Sequence, residues 1–528
     1  MEATSLSSGQ RALRDAETTV SKIGGENAAD LSANADLVRT RAEKGGKQIL
    51  VVSALRSSSG DFDRFAHPDA ADRDSDGKIK SGFNTTSHLI ALAEHLRAGD
   101  RTGALDLFER VRAATKEIVR TEIERNERSD SREMLSAVFA SIDGFLDNVR
   151  ARIFNTDKKP VAVGKDWLLH SEHGSVSITG IGEYLAKAIY HTYFHMKNIS
   201  VGELNTEGLV QWMRGKDSSK LLEQRQAQEL LASVRNSVRA HIGHLLDAHD
   251  VVVAGGYLPV LGSRRGYSDR TGALIAQEAR EAGHTTAYLI EKKSPIMSAD
   301  PRKIRNARLV EEMTYELAME AFGDQRGADG GAVHPEALRM LAEQDIPALV
   351  FNPQDESSIT HIHAYDPPPN GVEIVASRRM PIALEIQSIR MLGQPGFIHT
   401  ISGWFAERGI SIDQGGGTSE VTTTFTFTNG DVKNFDLEEF RRFLQETYGP
   451  DRELVLDVRE GKSMVFCLGN NMTQPGALLN AATALHQVQA NIHFISKGLN
   501  PRVMSFIIDP DKTEAALKKL HEVCIERK

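Results

Sequence analysis

The sequence predicts an α/β fold: a mainly parallel central sheet with crossover helices, followed by two ferredoxin-like βαββαβ modules. Three observations carry this reading. Short apolar runs alternate with helical patterns from Lys22 to Phe351, as buried parallel strands and their crossovers do. A proline-rich stretch, Asp366-Pro-Pro-Pro-Asn-Gly371, then breaks the pattern. Beyond it Gln394-Pro395-Gly396 returns as Gln474-Pro475-Gly476, each time between an apolar strand and a helix.

In chain order, Met1 to Thr19 is rich in Ser, Ala and charge and lacks an apolar stretch. It reads as a disordered or loosely docked tail, not a signal peptide. Lys22-Ile-Gly24-Gly25 places an ammonium beside backbone N–H groups, which suits phosphate and also describes an ordinary turn. Gln48–Val52 reads as a strand ending at Ser53-Ala54, and a helix is expected from about Thr86 to Arg97. The intervening Arg56–Asn84 is polar; its Asp72-Arg-Asp74-Ser-Asp76-Gly77 resembles half a calcium loop. The closing Glu is missing, since Phe83 stands at the twelfth position, so a solvated acidic loop is expected.

Ala104–Arg152 reads as two long helices, and Gly182-Glu183 opens another, where a carboxylate suits the helix dipole. Val251–Ala254 is a buried strand ending in Gly255-Gly256. Ser268-Asp269 follows at a helix start, where both residues can simply be caps. Thr285–Ile290 is the next strand and leads into Glu291-Lys292-Lys293 and Asp300-Pro301-Arg302. Ligands of such sheets sit at the carboxyl ends of the strands, where these polar loops fall. His361 and His363 read as polar linker residues.

Bulk properties exclude several classes. A chain of 528 residues holds about three or four domains. With 40% hydrophobic and 26% charged residues it can build ordinary cores. A net charge of −9 with mixed signs disfavours a nucleic-acid partner. Two cysteines, Cys467 and Cys524, suit a reducing cytoplasm. No apolar run approaches the roughly 18 residues of a membrane span.

Taken together, these motifs resemble the aspartokinases: an amino-acid-kinase domain followed by tandem ACT modules. Lys22-Ile-Gly24-Gly25, Ser53-Ala54 with Thr86, Gly182-Glu183, Arg265-Gly-Tyr-Ser268-Asp269, Ala299-Asp300-Pro-Arg302 and Val333-His334-Pro335 match in order and spacing. The resemblance implies phosphoryl transfer from ATP, with Mg2+, to the carboxylate of L-aspartate or a similar amino acid. It implies catalytic roles for Lys22 and Asp269, and acceptor binding by Glu183, Arg265, Thr86 and Ser53. Nucleotide binding falls to Gly24, Gly25, Ser268, Lys292, Lys293, Asp300 and Arg302. On the effector side it implies Gln394, Gly396, Asp413, Thr418, Ser419 and Glu420. No metal ligand from the protein is implied; a homodimer through the ACT modules is.

Four departures stand out. Glu26 replaces a small hydroxyl residue, and an insert interrupts the first phosphate-side loop. Glu291-Lys292-Lys293 replaces the usual acidic loop, where it can equally be solvated charge. Tyr267 replaces a glycine. The last two are similar to the divergent aspartokinases encoded with ectoine synthesis. Ser496-Lys497-Gly498-Leu-Asn500 keeps only part of the family's second effector motif. Two alternatives therefore stay open: another amino-acid acceptor, or a catalytically weakened ACT protein that binds a ligand.

The expected boundaries are a tail over 1–19, a kinase domain over 20–352 and a linker over 353–370. The ACT modules are expected over 371–461 and 462–528. The second module lacks one strand, so Gly371–Ala376 is expected to cross over and complete its sheet.

Overall fold

The computed structural model describes residues 6–24, 27–70, 80–127, 131–163, 166–171, 174–205, 224–258, 267–292, 294–323, 333–352, 355–365, 368, 371–393, 395–419, 421–427, 435–449, 454–498 and 502–526. The chain divides into two compact units. One comprises Met1–Pro295 with Ala332–Ala364, the other Ile296–Gly331 with Tyr365–Lys528. Among the described residues no helix is long and apolar enough to cross a membrane.

The first unit is organised by a sheet in the order Asp355–Ile362, Ala348–Asn352, Thr286–Glu291, Thr18–Ile23, Lys47–Val52, Val251–Gly255, Val201–Leu204. All neighbours pair in parallel except the first two strands, which are antiparallel. Val251–Gly255 and Thr286–Glu291 are buried along their whole length, as strands covered by helices on both faces must be. The carboxyl ends of the parallel strands therefore point to one edge. The two long helices are Arg101–Asn126 and Ser131–Phe154, and Arg112 reaches Asp143 and Asp147 between them.

Two expectations are corrected here. The tail carries a helix, Ser8–Asp15, closed by a capping box between Ser7 and Gln10. Ala12 and Leu13 on it pack against Leu289, Phe351 and Ile359. The expected linker holds the strand Asp355–Ile362, and His361 on it is buried, with Nδ1 3.1 Å from the Ser8 hydroxyl. Polar composition hid both elements, because the apolar partners that stabilise them come from distant sequence. The small three-stranded sheet Val161–Val163, Asp166–Ser171, Gly174–Ser177 was likewise unforeseen.

The second unit contains one six-stranded antiparallel sheet. Its order is Ile412–Ser419, Thr422–Phe427, Ile374–Gln387, Val455–Leu468, Val503–Ile508, Ile492–Lys497. Ile374 pairs with Leu468, and the ladder runs on to Gln387 opposite Val455. The expected strand at Gly371–Ala376 is thus continuous with the first strand of the first ACT module. Along it Val372 and Val375 join one core with Val465, Cys467 and Phe506, while Ile382, Leu384 and Ile386 join another with Phe405 and Phe425. Two cores on one ladder are the two modules. Their helices Phe397–Glu407 and Ala477–Gln487 both start from a left-handed glycine, Gly396 at φ +84° and Gly476 at φ +91°.

A candidate active site at the carboxyl edge of the parallel sheet

Lys22 lies one residue from the end of its strand, in register with Val51 and Ile290. Its Nζ is 3.1 Å from Oδ1 of Asp269, in the first turn of the helix Tyr267–Glu281. The other Asp269 oxygen, Oδ2, accepts from the backbone N–H of His334 at 3.0 Å. His334 caps the helix Pro335–Ala342, and Arg270 bridges to Glu336 on that helix at 2.8 Å. Asp269 is therefore committed at both oxygens, which fixes the direction of the lysine.

Side chains alternate along a strand, and this explains the unusual Glu291-Lys292. Glu291 shares the face of Ser21. There Arg41 Nη1 lies 3.9 Å from its carboxylate and donates to the Ser21 hydroxyl at 3.3 Å. Lys292 shares the face of Lys22. Burial first, and then repulsion from Lys22, push its ammonium below the ordinary lysine value, with Asp269 opposing. Lys292 is thus half-buried beside Lys22. The His334 N–H is a contributor that its motif did not reveal, while Arg41 serves Glu291 on the opposite face.

Two glycines let the loops converge. A Cβ at Gly256 would lie 2.7 Å from the Ser268 Cβ and 2.9 Å from the Val52 carbonyl oxygen. One at Gly182 would lie 2.6 Å from the Ala54 Cβ and 3.0 Å from Thr85 Cγ2. Ser53 and Ser268 consequently meet, hydroxyl to hydroxyl, at 3.1 Å. Glu183 is 3% exposed in the first turn of Ile181–Met196. It sits beside the ends of two strands, since Gly182 abuts Ala54 and Gly255 would bring a Cβ within 3.5 Å of the Glu183 carbonyl. Thr86 is half-buried in the first turn of Thr85–Ala98, whose Thr85 hydroxyl donates to the Leu55 carbonyl at 2.7 Å.

The insert after Ser53 folds back on itself, with Arg56–Ser57 paired to Phe83–Asn84. Its acidic run Asp72–Ile79 lies outside the described residues, as do Gly25, Glu26, Arg265 and Lys293. Gly24 closes the Lys22 strand, and its carbonyl accepts from the Ala28 N–H.

A family model described as the amino acid kinase family matches residues 17–352. The chain belongs to the amino acid kinase family. Lysine-sensitive aspartokinase 3 of Escherichia coli is 24% identical over 97% of this chain and 100% of its own length. Aspartokinase 1, chloroplastic, of Arabidopsis thaliana is 27% identical over 50% of this chain, a match spanning 45% of the plant protein. The solved E. coli aspartokinase III, in complex with lysine and aspartate, shares the fold with TM-score 0.65 at 21% identity. That match covers 96% of this chain and 100% of the other.

In this amino acid kinase, Asp300 and Arg302 belong to the second compact unit. They pair with each other through two contacts of 3.0 and 2.9 Å, and this arginine holds the Asp300 carboxyl below the usual carboxylate range. Of the effector-side residues, Gly396 heads its helix, while Gln394, Glu420 and the side chains of Thr418 and Ser419 lie outside the described residues. The Asp413 carboxylate, 7% exposed, is ion-paired to Arg378 and accepts from the Thr426 hydroxyl at 3.1 Å. The ion pair links the edge strand Ile412–Ser419 to Ile374–Gln387.

Proposed function

We propose that this chain is an aspartate kinase, transferring the γ-phosphoryl of MgATP to the side-chain carboxylate of L-aspartate to give 4-phospho-L-aspartate. The observation that carries the reading is the placement of Lys22 and Lys292 around a doubly held Asp269, where the parallel strands end. Phosphoryl transfer to a carboxylate joins two anions, so cations must flank the transferring group. Lys22 neutralises charge on that group, and Asp269 orients Lys22. Lys292 is a second cation for the phosphates, together with Lys293, Arg302, the Gly24 and Gly25 backbone and Ser268. Asp300 orients Arg302.

No general base is needed, since a carboxylate is already ionised near neutral pH. Glu183 receives the α-ammonium of the acceptor, Arg265 clamps its α-carboxylate in bidentate fashion, and Ser53 and Thr86 position the reacting carboxylate. Mg2+ supplies charge neutralisation at the phosphates. The ion would accompany the nucleotide, in keeping with its preference for phosphates and water. The ACT modules regulate, with an amino-acid effector at the Gly396 helix start beside Gln394, Thr418, Ser419 and Glu420. They also form the homodimer contact.

An ATP-dependent hydroxamate assay across a panel of amino acids tests this. Aspartate is expected to give the largest kcat/KM. A larger value for another acceptor reassigns the substrate, and none for any acceptor removes the kinase.

A further inference from the structure

Beyond Lys292 the chain enters the second unit, and the motif Ala299-Asp300-Pro301-Arg302 is built into that unit's core. Ser298, 2% exposed, donates its N–H to the Arg308 carbonyl at 2.7 Å and closes a hairpin with the Met297–Leu309 bridge. Its carbonyl accepts from the N–H of Val375, on the shared ACT strand, at 2.8 Å. Ala299 at the head of the motif and Ile304 just beyond it both pack in the second-module core with Val375, Leu517, Leu520 and Ile525. Between these anchors the Arg302 side chain is 88% exposed.

The Ser298 hydroxyl accepts from the Arg308 N–H at 2.8 Å and lies 2.9 Å from Nε2 of His521. His521, 0% exposed, has Nδ1 2.9 Å from Oε1 of Glu526. One ring nitrogen thus faces the Ser298 hydroxyl and the other the Glu526 carboxyl, so both have a polar partner. Serine, histidine and carboxylate in this order would suggest a nucleophile, but an oxygen this buried meets no substrate. The triad is a fastening.

We propose that Ser298, His521 and Glu526 are positioning residues: they fasten the Ala299–Arg302 loop to the last helix of the second ACT module. Nucleotide affinity then depends on the state of that helix. This rests on the kinase reading above, with Asp300 and Arg302 on the nucleotide side.

In the full-length chain, Ser298→Ala and His521→Ala are each expected to raise the ATP KM by roughly fivefold to tenfold, the cost of one buried hydrogen bond. The kcat and acceptor KM should stay within about twofold of the parent, since the loop and not the reacting groups is loosened. His521→Gln, whose amide keeps a partner near the Nε2 position, should restore most of the ATP KM. A merely structural role would lower the active fraction, and hence kcat, at unchanged KM. Unchanged ATP KM in both alanine variants, or an equal rise in the acceptor KM, overturns the proposal.

Should the variants not fold, hydrogen exchange on the parent chain with and without MgADP decides. Slowed exchange is expected at 296–310 and 513–526 together, and protection of the first without the second overturns the proposal. Failure of the kinase reading looks different: the parent makes no hydroxamate, and MgADP protects nothing around Lys22 either.

Discussion

The two sheets of this protein handle polar groups in opposite ways. In the sheet of the first unit, six strands run parallel, so their carboxyl ends open to one edge. Lys22, Ser53, Gly256 and Lys292 are delivered there with no further device than strand direction. The charges gathered at that edge include Lys22, Lys292 and Asp269. In the antiparallel sheet of the second unit, buried polar groups are consumed internally. Arg378 takes Asp413, Asn470 takes Glu373 at 2.8 Å, and His521 takes Ser298. The first arrangement gathers charged groups at one edge, while the second uses compensated polar pairs to set register and to hold loops.

The largest expected effect separates the two by stability. Phe405 is fully buried, with ring centroids of Phe427 and Phe440 at 4.9 and 5.2 Å. Phe405→Ala should cost about 3–5 kcal/mol, read by hydrogen exchange as faster opening of Thr422–Phe427. Amides of Val251–Gly255 should keep their protection. Equal loosening of both strands would mean that the units do not open separately.

Next comes the charge cluster. Lys22→Ala should lower kcat by roughly a hundredfold or more, the scale of losing one charge-stabilising group. Turnover like that of the parent would remove Lys22 from the mechanism.

Lys292→Ala should raise the ATP KM by roughly tenfold, as loss of a hydrogen bond to a charged group does. The pH dependence sharpens this. Lys292 has a folded pKa below its unfolded one, so between the two the unfolded chain binds more protons and stability rises with pH. Its charge is a cost to the fold that bound phosphates offset. In the parent, kcat/KM for ATP should therefore fall at alkaline pH as Lys292 deprotonates, and in Lys292→Ala that limb should vanish. An identical alkaline limb in the variant would assign the titration elsewhere.

The smallest effect lies away from both edges. Glu122 is pushed up to about 7, by burial first and then by Asp30, with the Ser32 N–H and Asn126 opposing. A raised carboxyl binds its proton more tightly in the fold, so stability falls as pH rises from the ordinary glutamate range through about 7. Glu122→Gln should flatten the profile of melting temperature against pH, with a gain at alkaline pH of about 1 kcal/mol or less at this half-buried site. A parent profile that is flat over that range would dismiss the raised carboxyl.

Much of the architecture was legible locally. Apolar runs such as Val251–Ala254 declare parallel strands because both faces are buried, and Gln-Pro-Gly twice declares the repeat because the left-handed glycine heads each helix. The site was legible as motifs, since Lys22, Glu183 and Ser268-Asp269 stand where strands yield to helices. Tertiary structure alone decided the rest. That Asp269 is held by the His334 N–H, and that Glu291 and Lys292 part to opposite faces, required the strand register. The fusion of Ile374–Gln387 into one strand serving two cores depended on its partner, Val455–Leu468, which supplies the ladder for both halves. The Ser8–Asp15 helix and the Asp355–Ile362 strand are polar by composition and form because distant residues cover them. Ala-Asp-Pro-Arg reads as a nucleotide motif, but only packing shows Ser298 and Ala299 anchored in the second ACT module. Periodicity reports which face of an element is apolar; which surface meets it is settled by long-range contacts that no local pattern encodes.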